Sequence, residues 1–164
     1  MAEEDTQAAT GEQSGQRFQI EKLYVKDISF ESPGAPAVFN KEWKPRVEFQ
    51  LGNRSQRVDE NRYEVILHLT VTAHNGEETA FLVELQQAGL FTISGVPEAE
   101  MERVLATFCP GIIFPYAREA ISDLVTRGGY PQLMLSPVNF DALYEQHKRQ
   151  KQGEAAASDA GGNP

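Results

Sequence analysis

The chain has 164 residues, 40% hydrophobic and 24% charged, with a formal net charge of -9. That length suits one domain with a proper core. The acidic balance leaves no cationic surface to neutralise nucleic-acid phosphates or to hold an anionic membrane.

A single cysteine, Cys109, cannot close an internal disulfide, and no Cys/His cluster has the spacing of a zinc site, so a reducing cytoplasm is expected and no metal or cofactor. Residues 1–16 carry four acids, no base and no apolar run, unlike the basic and hydrophobic parts of a signal peptide. Neither this segment nor 148–164 contains Val, Ile, Leu, Phe, Tyr or Trp, so both are expected to be disordered. All fifteen aromatics fall between Phe18 and Tyr144, and the folded unit is expected over 17–147, where twelve basic and eighteen acidic residues leave the acidity on the domain itself. Apolar runs such as Phe81-Leu82-Val83 are far shorter than the roughly 20 residues that cross a bilayer, so no direct membrane insertion is expected.

From Phe18 to Phe30 the apolar phase slips twice (Phe18 and Ile20, Leu23 and Val25, Ile28 and Phe30), which predicts a long, bulged or strongly twisted strand. Three prolines between Ser32 and Pro45 exclude a helix, and the length excludes a hairpin turn, so this stretch reads as a long ordered crossover. Its Pro33, Pro36, Val38, Phe39 and Trp43 allow two readings, a satellite core beneath the loop or one wall of an apolar groove for extended polypeptide. Val47, Phe49 and Leu51 mark a second strand by alternation. Tyr63, Val65, Leu67, Leu69, Val71 and Ala73 mark a third, followed by Asn75-Gly76 as a tight turn. The fourth strand is expected from about Glu78 to Gln86, with Phe81, Val83 and Leu85 on one face and Leu82, Glu84 and Gln86 on the other.

After Gly95 the period becomes helical. Met101, Val104, Leu105 and Phe108 form one helix that Cys109-Pro110-Gly111 is expected to end. A second helix is expected from near Pro115, closed by Gly128-Gly129, with an apolar face wide enough to serve both the sheet and another subunit. Tyr130-Pro131-Gln132-Leu133 begins an extended link, and a short helix from about Asn139 carries Phe140, Leu143 and Tyr144. The expected fold is α+β: a four-stranded antiparallel sheet, a long crossover loop after strand 1, and helices packed on one face.

No phosphate loop, zinc-binding helix or nucleophile elbow is present. His68 and His74 lie on the outer phase of a strand, and Cys109 reads as a packing residue, so no enzymatic chemistry is expected. An enzyme on a similar scaffold, such as an isomerase or thioesterase, would need a buried carboxylate or histidine in a closed pocket, for which the sequence offers no candidate.

The run Cys109-Pro110-Gly111-Ile112-Ile113-Phe114-Pro115-Tyr116-Ala117-Arg118-Glu119-Ala120-Ile121-Ser122-Asp123-Leu124-Val125 resembles the signature helix of SecB, the bacterial protein-export chaperone family. Gly129 to Leu133, Ser136 to Tyr144, Tyr24 to Glu31 and Glu77 to Glu84 fit the same family, in order and over nearly all of the folded region. The resemblance implies an ATP-independent chaperone that binds unfolded preproteins, keeps them competent for translocation and delivers them to the SecA export motor. It implies a homotetramer, a dimer of dimers, in which Tyr116, Ala120, Ile121 and Leu124 contact the neighbouring dimer. Carried over by motif, Asp27, Glu31, Leu82 and Glu84 would bind the zinc-bearing C-terminal segment of SecA. Phe39, Trp43 and Tyr144 are expected to line the client groove. Lys148, Arg149 and Lys151 depart from a family-like acidic tail contact with SecA. The alternatives are a pure assembly protein or a SecB-like chaperone dedicated to a toxin-antitoxin system.

Overall fold

The computed structural model describes residues 15–160, so the expected disordered segment 1–16 lies almost wholly outside the described residues. Four antiparallel strands form one sheet: β1 (Arg17–Glu31), β2 (Pro45–Arg57), β3 (Arg62–Asn75) and β4 (Glu78–Ser94), in the order β1-β4-β3-β2. Strand β1 slips register between Ile20 and Lys22 and again between Val25 and Asp27, the two places where the apolar phase breaks. The hairpin between β3 and β4 turns on Gly76 and Glu77, one residue later than the sequence suggests, because Asn75 still pairs with Glu78. Gly76 takes φ +66°, which a glycine supplies without steric cost.

Strand β4 runs eight residues beyond Gln86, to Ser94. The alternation is masked there by Gln87-Ala88-Gly89, yet the ladder continues, with Gly89 opposite both Leu23 and Val65. A Cβ at Gly89 would meet the Phe91 ring at 2.6 Å, so the glycine makes room for that ring to fold over it.

The helices follow as α1 (Glu98–Arg103), a π-helical turn (Val104–Phe108), α2 (Cys109–Arg127) and α3 (Phe140–Ala160). The expected break at Cys109-Pro110-Gly111 does not occur: the π turn leads straight into α2, and Pro110 sits in its first turn. A proline removes one i→i−4 bond, and this one falls directly after the π turn, where that bonding pattern is already interrupted, so it ends nothing. Pro115 lies within α2 and is tolerated because buried Cys109, Ile113, Ala117, Ile121 and Val125 hold the helix on the sheet. Gly128 closes the helix and Gly129, at φ +87°, redirects the chain.

The tail from Lys148, expected to lack order, is helical to Ala160. Its Ala-, Gln-, Glu- and Lys-rich composition favours helix, and α3 extends past its packed first turn, although no side chain beyond Phe140 is buried. The helical layer covers the face of β3 and β4 that carries Leu67, Leu69, Val71, Phe81, Val83, Leu85 and Phe91, each no more than 1% exposed.

Candidate functional site

The crossover joins opposite edges of the sheet, a distance of roughly 14 Å at ordinary strand spacing. It crosses at the hairpin end of β3 and β4. There the Asn75 side chain donates to the Glu42 carbonyl at 3.0 Å and accepts from the Lys44 amide at 3.0 Å, while Lys41 pairs with Glu78 at 2.6 Å. Despite three prolines the loop contains one 3-10 turn, Ala37–Asn40. The satellite-core reading of its apolar residues holds for one of them. Val38 is buried and belongs to the core, whereas Phe39 is 49% exposed and Trp43 is half-buried.

Phe39 and Trp43 rest on one ring. The Tyr130 centroid lies 5.3 Å from Phe39, 5.2 Å from Trp43 and 4.9 Å from Phe81, itself stacked on Phe30 at 5.9 Å. Gly129 adjoins Phe39, and a Cβ at Gly128 would collide with the Phe30 ring, so the diglycine lets the end of α2 close on this cluster. Tyr144 is not brought into it. Its ring lies on α3 beneath the Arg103 guanidinium (5.5 Å) and the Lys148 ammonium (5.9 Å), beside an open cleft of about 500 Å³ lined by Leu51, Asn53, Ala106, Phe140 and Leu143. The three expected groove residues thus occupy two places, a crossover wall and a cleft between β2, the π turn and α3.

On the opposite face of the sheet, Glu31 stands across from Leu82, Asp27 from Gln86, and Glu84 from Ser29. All four expected docking residues therefore share the outer face along one strand pair. Leu82 is half-buried, the three acids are exposed, and none of the acids takes part in an ion pair among the described residues. The patch is an apolar centre ringed by free carboxylates, suited to a cationic partner.

Further along the same face lies a polar cluster that the sequence did not reveal. Glu64, 7% exposed on β3, accepts hydrogen bonds from the Tyr24 hydroxyl, from Lys26 Nζ (2.9 and 3.1 Å) and from Gln56 Nε2 (2.7 Å), linking β1, β3 and β2 above β4. Burial raises the Glu64 pKa, but the bonds from Tyr24, Lys26 and Gln56 and the Lys26 charge prevail and hold it below the usual carboxylate range. Burial, and then the bond to Glu64 and its charge, push Tyr24 up to about 12. The one buried carboxylate of this face is saturated by its partners, which suits a strand tie. Burial also pushes the Cys109 thiol up to about 12, so it stays protonated as packing residues do.

Of the residues expected to contact another dimer, Tyr116 is 52% exposed and Ala120 and Leu124 are half-buried on the outer side of α2. Ile121 is a correction: it is 0% exposed against the sheet, because it follows Ala117 by one helical turn on the inward side, and it serves its own subunit's core.

The SecB family, described as preprotein translocase subunit SecB, matches residues 11–151. The protein-export protein SecB of Halorhodospira halophila is 51% identical over 167 residues, covering 100% of this chain and 96% of that protein. The protein of the same name from Nitrosococcus oceani is 53% identical, covering 96% of this chain and 98% of that one. That of Methylococcus capsulatus is 54% identical, covering 88% and 93%. Among solved structures, a SecB-like chaperone of Mycobacterium tuberculosis in complex with an antitoxin peptide matches with TM-score 0.63 at 19% identity, over 75% of this chain and 91% of that one, a likeness of fold.

Proposed function

This chain belongs to the SecB family of protein-export chaperones, and we propose on that premise that it holds newly made precursor proteins unfolded, without ATP, and passes them to the SecA motor in the cytoplasm. The observation that carries the client-binding part is the pair Phe39 and Trp43, seated on a buried tyrosine yet open to solvent on their far side. Such a surface binds apolar side chains by contact area, with roughly 1.5 to 3 kcal/mol for each one buried. Repetition in four subunits raises the effective concentration of sites, so weak contacts hold a chain and still release it.

The homotetramer is proposed from a second observation. Ile20, Val25 and Ile28 of β1 and Val47 and Phe49 of β2 lie on the helix-covered face, each between 39% and 47% exposed. With Tyr116 on α2 they supply apolar surface that a lone subunit leaves wet. The outer patch of Asp27, Glu31, Leu82 and Glu84 is the proposed SecA dock. A chaperone dedicated to an antitoxin comes second, because that likeness is of fold alone.

A denatured secretory protein should refold more slowly in the presence of this chain, and equal rates with and without it would reject holding activity. Replacing Asp27 and Glu84 by Lys should weaken SecA binding by roughly tenfold while client affinity stays unchanged. Loss of both, or of neither, in a titration of the two partners would reject the assigned face.

A further inference from the structure

Tyr130 is 5% exposed and makes two polar contacts through one hydroxyl. The hydroxyl donates to the Ala80 carbonyl at 2.9 Å and lies 2.6 Å from the Ser32 hydroxyl. Ser32 Oγ also lies 3.4 Å from the Ala80 carbonyl, so both hydroxyls converge on that one acceptor and either can donate to the other. The bridge joins three segments far apart in sequence: the start of the crossover at Ser32, the start of β4 at Ala80, and the chain leaving α2 at Tyr130.

The same ring is the floor under Phe39 and Trp43. The far end of the crossover is held separately by Asn75, through Glu42 and Lys44, and its middle by buried Val38. The near end has no fixed side-chain tie to the sheet among the described residues other than Ser32. Free to shift at that end, the loop would present Phe39 and Trp43 in many arrangements, and each would have to be ordered when a client binds. We propose that Tyr130 is a positioning residue for client binding, its hydroxyl bridge to Ser32 fixing the ring on which Phe39 and Trp43 rest. The proposal rests on the groove reading given above.

Trp43 is the only tryptophan of the chain, so its emission reports on the loop directly. Tyr130→Phe keeps the ring and removes the bridge, and Ser32→Ala removes the other hydroxyl. Each should expose Trp43 to acrylamide quenching and weaken binding of a reduced, denatured secretory protein by about five-fold, the factor of one net hydrogen bond. The double variant should lose less than the sum of the two single variants, since both open the same bridge. Unchanged quenching, unchanged client affinity, or additive losses would each overturn the role. Phe39→Ala separates the two readings. Full client affinity in that variant overturns the groove and this role together, whereas a weakened Phe39→Ala beside an unaffected Tyr130→Phe overturns the positioning role alone.

Discussion

The middle and the margins of the same sheet face carry the same kinds of residue and meet opposite fates. Leu69, Val71, Phe81, Val83 and Leu85 on β3 and β4 are sealed under α2, while Ile20, Val25 and Ile28 on β1 and Val47 and Phe49 on β2 stay 39% to 47% exposed. Composition cannot tell the two apart. One long helix is wide enough for two strands, so a four-stranded sheet built this way keeps two apolar margins that its own subunit does not cover. The centre is closed within the subunit, and the margins are not.

The largest break in that contrast comes from truncating each region in turn. Phe81→Ala should destabilise by about 3 to 5 kcal/mol in urea denaturation, whereas Phe49→Ala, on the same face at the margin, should cost about 1 kcal/mol. Equal costs would mean that the margin is packed within the subunit.

An intermediate effect is expected on the opposite face, where Glu64 ties β1 to β3 and β2. Glu64→Gln should cost about 1 to 3 kcal/mol, because the part-buried Lys26 and Tyr24 contacts lose their charged acceptor. The pH dependence follows from the shifts. The Glu64 pKa is lowered on folding, so its contribution is present above the unfolded carboxylate value of about 4 and is lost as pH falls through the folded value. Tyr24 is raised to about 12, so its contribution is present below the unfolded value and is lost as pH rises towards 12. Denaturation midpoints against pH should therefore form a plateau with two falling limbs, and Glu64→Gln should flatten the acid limb. An unchanged acid limb would place the tie elsewhere.

The smallest effect on the subunit, and the one that sharpens the role of the margins, comes from adding charge there. Ile20→Asp together with Ile28→Asp should change the stability of the isolated subunit by less than about 1 kcal/mol yet convert the assembly to smaller species in sedimentation velocity. A tetramer that survives both changes would show that β1 faces clients or solvent.

Much of this was legible in the residues. The alternation in β4 placed Leu82 and Glu84 opposite the core, the two phase slips in β1 foretold its two bulges, and Asn75-Gly76 foretold the hairpin to within one residue. The family motif singled out Asp27, Glu31, Leu82 and Glu84, and these four share one face. Other features were illegible for specific reasons. Gly89 hid the second half of β4 because its place is filled by the ring of Phe91, two positions on. Pro110 and Gly111 suggested a stop, but the apolar face from Cys109 to Val125 outweighed them. Tyr130 read only as the start of a link, although a tyrosine directly after two glycines at a helix end was a signal that a ring is turned back towards the sheet.

By itself the sequence determined which residues share a face, because strand and helix periods are set by backbone geometry that every chain obeys. Which of those faces is covered, that Ile121 points inward while Tyr116 points out, and that Tyr130 joins Ser32 to Ala80 beneath Phe39 and Trp43 all came from the packed fold. Those outcomes depend on contacts between segments tens of residues apart, and local spacing carries no record of which distant surface will arrive to close a face.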